Sequence, residues 1–110
     1  MKVSDLAEKL NLECLYRGNQ DREVTGCYAG DLLSRVMSRA GAGHAWVTIM
    51  SNVNVAAVAS LTDAACVILT EGVRPDKQLE DKLGELDASV FTTPLSTYEV
   101  AWRIHEAIGA

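Results

Sequence analysis

Four residues in this 110-residue chain have types and spacing suited to handling an anion: Asp21, Arg22, Asn52 and Asn54. A guanidinium presents a planar fork of donors that matches a carboxylate or a phosphate, and an adjacent carboxylate can hold it in place. If Asp21 and Arg22 lie within a strand, they point to opposite faces and must find partners elsewhere in the chain. Two readings follow: contact with an anion or a partner, or hydrogen bonds that tie down loop backbone. Asn52 and Asn54 stand at the start of the run Val53 to Leu61, which is rich in Ala and Val and has no charged side chain. There they can steer amides and side-chain donors toward a small anion at an electropositive helix start, or simply cap that helix. A small enzyme acting on a phosphorylated or anionic substrate would be assembled from these four.

The remaining reactive side chains do not form a catalytic pattern. Gly41 and Gly43 belong to neither the dinucleotide fingerprint nor the Gly-x-x-x-x-Gly-Lys-Ser/Thr loop, so no segment can wrap the phosphates of a nucleoside triphosphate, and they read as a helix end. His44 and His105 stand 61 positions apart, neither with a second ligand at metal spacing, which predicts surface histidines and no metal site. Asp63, Glu71 and Asp87 show no local partner. Ser34, Ser38, Ser51 and Ser96 lack the context of a nucleophile elbow. Cys14, Cys27 and Cys66 are an odd number without a Cys-x-x-Cys pair, and read as reduced core thiols of a cytoplasmic protein. The expectation is a protein with no catalytic residues and no cofactor.

The elements that must position Asp21 and Arg22 begin with the stretch Asp21 to Asp31. Val24, Cys27 and Tyr28 are strand formers, Gly26 marks a bulge or a close approach, and Gly30-Asp31 supplies a turn and a helix N-cap. Upstream, Val3, Leu6, Ala7 and Leu10 predict an amphipathic helix capped by Ser4 and stopped at Asn11, followed by a strand over Leu12 to Tyr16. Downstream, Leu32, Leu33, Val36 and Met37 define a helix face, and Ala45 to Met50 reads as a central strand covered on both sides. Val53 to Leu61 is a helix apolar all round, to be hidden by neighbours or by a second subunit. Ala65 to Thr70 is another buried strand. Asp76 to Leu86 is a charged helix with Leu79, Leu83 and Leu86 inward, and Ser89 to Thr92 is the last strand. A helix over Tyr98 to Ile108, capped by Ser96 or Thr97, closes the chain with Val100, Ala101, Ile104 and Ile108 on its apolar face.

This alternation predicts one α/β domain over residues 1–110, a three-layer α/β/α arrangement around a largely parallel sheet. With 48% apolar and 23% charged residues the chain can bury one core. The net charge of −5, with basic residues scattered singly, argues against a grip on nucleic acid or an anionic membrane. The opening helix resembles the first helix of helix-turn-helix domains, but no basic recognition helix follows. No segment reaches the roughly 20 apolar residues that span a bilayer, and the first residues lack a signal-peptide run.

Asp21, Arg22, Thr25, Gly26 and Gly30 are spaced as in the DRTGG domain, which the chain resembles over nearly its whole length. The likeness extends through Leu32 to Met37, Trp46-Val-Thr-Ile, Asn54-Val-Ala-Ala-Val-Ala, Ile68-Leu-Thr-Glu-Gly and Thr93-Pro-Leu-Ser-Thr-Tyr-Glu. The resemblance implies a fold like the N-terminal domain of HPr kinase/phosphorylase, without that enzyme's separate catalytic domain. It also implies a free-standing regulatory or ligand-sensing module that pairs with itself or docks on a partner enzyme, with a nucleotide or another anionic small molecule as a further partner. On this reading Asp21, Arg22, Thr25, Gly26, Gly30 and Asp31 form the motif contact, with Asn52 and Asn54 beside it. Arg22, Val53, Ala56, Ala57 and Ser60 are the residues expected at a homodimer interface.

Overall fold

Strand-forming runs too short to stand alone are assembled here into one five-stranded sheet, seen in a computed structural model that describes residues 1–109. The elements in chain order are α1 (Val3–Leu10), β1 (Glu13–Tyr16), β2 (Gly26–Ala29), α2 (Leu33–Arg39), β3 (His44–Thr48) and α3 (Asn54–Leu61). They continue with β4 (Cys66–Leu69), α4 (Lys77–Lys82), a 3-10 turn (Leu83–Glu85), β5 (Ser89–Thr92) and α5 (Thr97–Ile108). The strand order is β1-β5-β4-β3-β2. Strands β2 to β5 run parallel in register, Gly26 beside His44, Ala45 beside Cys66 and Cys66 beside Ser89, and β1 closes the far edge antiparallel to β5.

Each strand places alternate side chains on opposite faces, and each face carries its own apolar core. On one side Val3, Leu6 and Leu10 of α1 and Val100 and Ile104 of α5 pack on Ala45, Val47, Cys66, Ile68 and Phe91. On the other, Val36 of α2, Val55, Val58 and Ala59 of α3, and Leu79 of α4 pack on Trp46, Val67, Leu69 and Val90. The expected three-layer architecture is therefore the one observed. The leucines Leu79, Leu83 and Leu86 all point inward, Asn11 ends α1 in the left-handed conformation, and Ser96 caps α5 by accepting from the Glu99 amide at 3.1 Å.

Several local expectations are corrected. β3 is interior, but the centre of the sheet is β4, because β1 adds a strand beyond β5. Ser4 lies inside α1, whose N-cap is Lys2 without a side-chain bond. Leu32, not Asp31, occupies the N-cap of α2, since the Asp31 carboxylate is taken by the Thr48 hydroxyl at 2.7 Å and the Ile49 amide at 2.9 Å. Of the four apolar residues assigned inward on α2, Val36 is buried and Leu33 partly so. Leu32 and Met37 stay 64% and 46% exposed, because α2 covers the edge strand β2 and no strand lies beyond it. Cys14 sits exposed on the edge strand β1, so only two of the cysteines behave as core thiols: burial pushes Cys27 up to about 11 and Cys66 up to about 12.

Candidate functional site

The parallel strands give the sheet two chemically different ends, and the sequence-assigned residues divide between them. At the amino ends of β2, β3 and β4, Arg22 lies in the turn before β2 rather than in a strand, and reaches across to Asp63 at the corner that precedes β4. Its two terminal nitrogens meet the two carboxylate oxygens at 3.0 and 2.9 Å, and one also donates to the Asp63 carbonyl at 3.2 Å. This bidentate bond holds the Asp63 carboxyl below the usual carboxylate range and raises the Arg22 guanidinium. Asp63, read from the sequence as lacking a partner, thus has one, 41 positions away. Asp63 adopts positive φ, and its carbonyl also receives the Gly43 amide at 2.9 Å.

Thr25 completes the clasp. Its amide donates to the Gly43 carbonyl at 2.9 Å and its hydroxyl to the Ala42 carbonyl at 3.1 Å. Gly43 has φ of 78°, and a β-carbon there would stand 2.7 Å from the Thr25 hydroxyl. Gly26 starts β2 in regular register, with no bulge at this position. Its role is close approach, since an added β-carbon would lie 2.7 Å from Nε2 of His44. The His44 ring is fixed there because its Nδ1 accepts the Gly41 amide at 3.0 Å. Asp21 faces solvent, with Lys2 at 3.8 Å.

The carboxyl ends carry the rest. The Gly30 amide donates to Val47, and the Gly30 carbonyl accepts the buried indole N–H of Trp46 at 2.9 Å. Asn52 accepts the Asn54 amide at 2.9 Å in a turn of its own, and Val53, without a side-chain bond, is the N-cap of α3. Arg22 and Asn52 therefore lie at opposite ends of β3, separated by about 15 Å of strand, and the structure does not bring Asp21, Arg22, Asn52 and Asn54 into one constellation.

In open α/β sheets the crevice for ligands lies where successive helices leave to opposite faces. Here that point is between β4 and β5, whose following helices α4 and α5 cover different sides. The gap is bridged from within. The Glu71 and Gly72 amides donate to the Leu95 and Thr93 carbonyls, each at 2.9 Å, and the Thr70 and Thr97 hydroxyls lie 2.6 Å apart. The Glu71 carboxylate accepts the Thr97 amide at 3.3 Å at the start of α5, the place an external anion would otherwise take. Among the described residues no group of three or more His, Cys, Asp or Glu is arranged to hold a metal ion, and no helix is long and apolar enough to cross a membrane.

Away from both ends, α3 presents an outward face. Val55, Val58 and Ala59 are buried, but Ala57, Ser60 and Leu61 are exposed, so the helix expected to be covered on several sides is covered on one. Val53, Ala56, Ala57 and Ser60 form one wall of a groove of about 260 Å³, and Lys82, Glu85 and Leu86 form the other. Four of the residues read from the sequence as interface positions meet there, and Arg22 does not. Sequence reasoning missed the second wall, because nothing in the spacing of a charged helix places its last turn beside α3.

Among known families, the DRTGG domain model matches residues 5–107. No curated protein matches the chain.

Proposed function

The chain belongs to the DRTGG domain family, of regulatory and ligand-sensing type, and from that premise we propose a noncatalytic regulatory module that works as a homodimer through the outward face of α3. The observation that carries this reading is the uncharged, open α3 face beside its groove. A surface of Ala, Ser and Val lets a second helix approach closely, and Leu86 offers an apolar floor. Lys82 and Glu85, 3.3 Å apart at the rim, have opposite charges, so a two-fold copy can set each against its counterpart. The dimer should bury on the order of 1,200 Å² or more in total. The motif supports this surface from a distance: Arg22, Thr25 and the Gly41–His44 turn fix the corner at Asp63, just beyond the end of α3.

The absence of a catalytic role is part of the proposal. The reading is supported by the separation of Arg22 from Asn52 and by the Arg22 fork being engaged with Asp63. Sedimentation velocity across micromolar concentrations, together with a turnover assay on nucleotides and phosphorylated metabolites, tests it. A concentration-dependent dimer with no turnover is expected. A monomer throughout the range, or turnover abolished by point variants at the amino end of the sheet, would overturn it.

A further inference from the structure

Tyr28 of the edge strand and Arg35 and Arg39 of α2 line an open cleft of about 520 Å³, on a different part of the surface from the α3 groove. Three features of this cleft go against local electrostatic rules. Six of the ten lysines and arginines have a carboxylate within 4.0 Å, yet among the described residues neither Arg35 nor Arg39 has one, although the chain carries a net charge of −5. Arg35 and Arg39 are one helical turn apart, so two like charges repel on one face. Arg35 also stands in the first turn of α2, which has no acidic residue, where the helix dipole disfavours a cation. The position of Arg39 in the last turn suits that dipole, but the position of Arg35 does not. Sequences that violate several local rules at one place do so most often where function requires it.

The third donor is held in place by the fold. Tyr28 packs its ring against the core beneath α2 and α3, and the ring lies over Gly30, where an added β-carbon would come within 2.8 Å of it. Its phenol has no protein partner among the described residues. We propose that Tyr28, Arg35 and Arg39 bind the phosphate group of a small phosphate monoester. A dianion would relieve the repulsion between the arginines, accept from two guanidinium forks and take the phenol proton as a hydrogen bond. The site is separate from the α3 contact and does not rest on it.

Inorganic phosphate and glycerol phosphate, titrated into the full chain and followed by backbone amide NMR, test the proposal. Saturable shifts centred on Tyr28, Arg35 and Arg39 are expected with both probes, and Arg35→Gln or Arg39→Gln should each weaken binding roughly tenfold. Arg17→Gln, which removes another cation without a carboxylate partner among the described residues, and Ala57→Asp, on the α3 face, should leave the affinity unchanged. Shifts that stay linear, an affinity unaltered in the double Arg35→Gln, Arg39→Gln variant, or an equal loss in Arg17→Gln would overturn the site. The same holds if the double variant changes only solubility, which would mark the arginines as guards of the sheet edge.

Discussion

The amino end of the sheet and the outward face of α3 differ in how far the chain satisfies itself. Around Asp63 the polar groups of Arg22, Thr25, Gly43 and His44 all have partners within the chain. On α3, Ala57, Ser60 and Leu61 face outward beside an unfilled groove. Three of the signature residues, Arg22, Thr25 and Gly26, thus secure a corner, and the α3 face proposed as the contact is made of residues outside that signature. On the proposed reading, the motif holds the fold together through its internal bonds while the contact lies elsewhere.

The largest expected effect comes from filling the space beside Gly26. Gly26→Val should destabilise the fold by about 1 to 3 kcal/mol, because the His44 ring is pinned by the Gly41 amide and cannot swing away cheaply. Chemical denaturation gives the loss directly, and thiol labelling localises it. Cys27, next in β2 and held up to about 11 by burial, should react slowly in the native protein and faster in the variant, while exposed Cys14 reacts at once in both. Wild-type stability in Gly26→Val would show the amino end to be far looser than its bonds suggest.

A smaller effect sharpens the same comparison. The Asp63 carboxyl titrates lower in the folded chain than in the unfolded one, so the stability it contributes is present above the ordinary carboxylate range and fades as pH falls through the lowered value. Arg22→Gln should therefore be less stable than the wild type at neutral pH, and the two should converge on acidification. The difference should be modest and reduced by salt, since the carboxylate is solvent-exposed. Melting curves from pH 7 to pH 2 check this, and a gap that persists at the acid end would assign the loss to packing of the arginine stem.

Much of the scaffold was legible because its signals are local. Leu79, Leu83 and Leu86 repeat at helical spacing through α4 and the 3-10 turn, Asn11 and Ser96 punctuate in the usual way, and the short apolar runs at β3, β4 and β5 are bounded by turn residues. The site was less legible because its contacts join distant positions. Arg22 and Asp63 are 41 residues apart, and nothing around Asp63 identifies its partner. Asp31 looks like a cap in sequence, but a hydroxyl from β3 claims its carboxylate. Tyr28, Arg35 and Arg39 come together only because a strand and the helix after it fold against each other. The apolar character of α3 was plain, but which side stayed open depended on where α4 and its 3-10 turn came to rest.

The central claim is that the contact lies on the open α3 face and not at the self-satisfied motif, and sedimentation equilibrium on two single variants tests it most directly. Ala57 is exposed, so Ala57→Asp should leave the fold intact and convert the dimer to monomer, while Arg22→Gln should remain dimeric under conditions where it is folded. A dimer that survives Ala57→Asp, or one that dissociates in folded Arg22→Gln, would contradict the account.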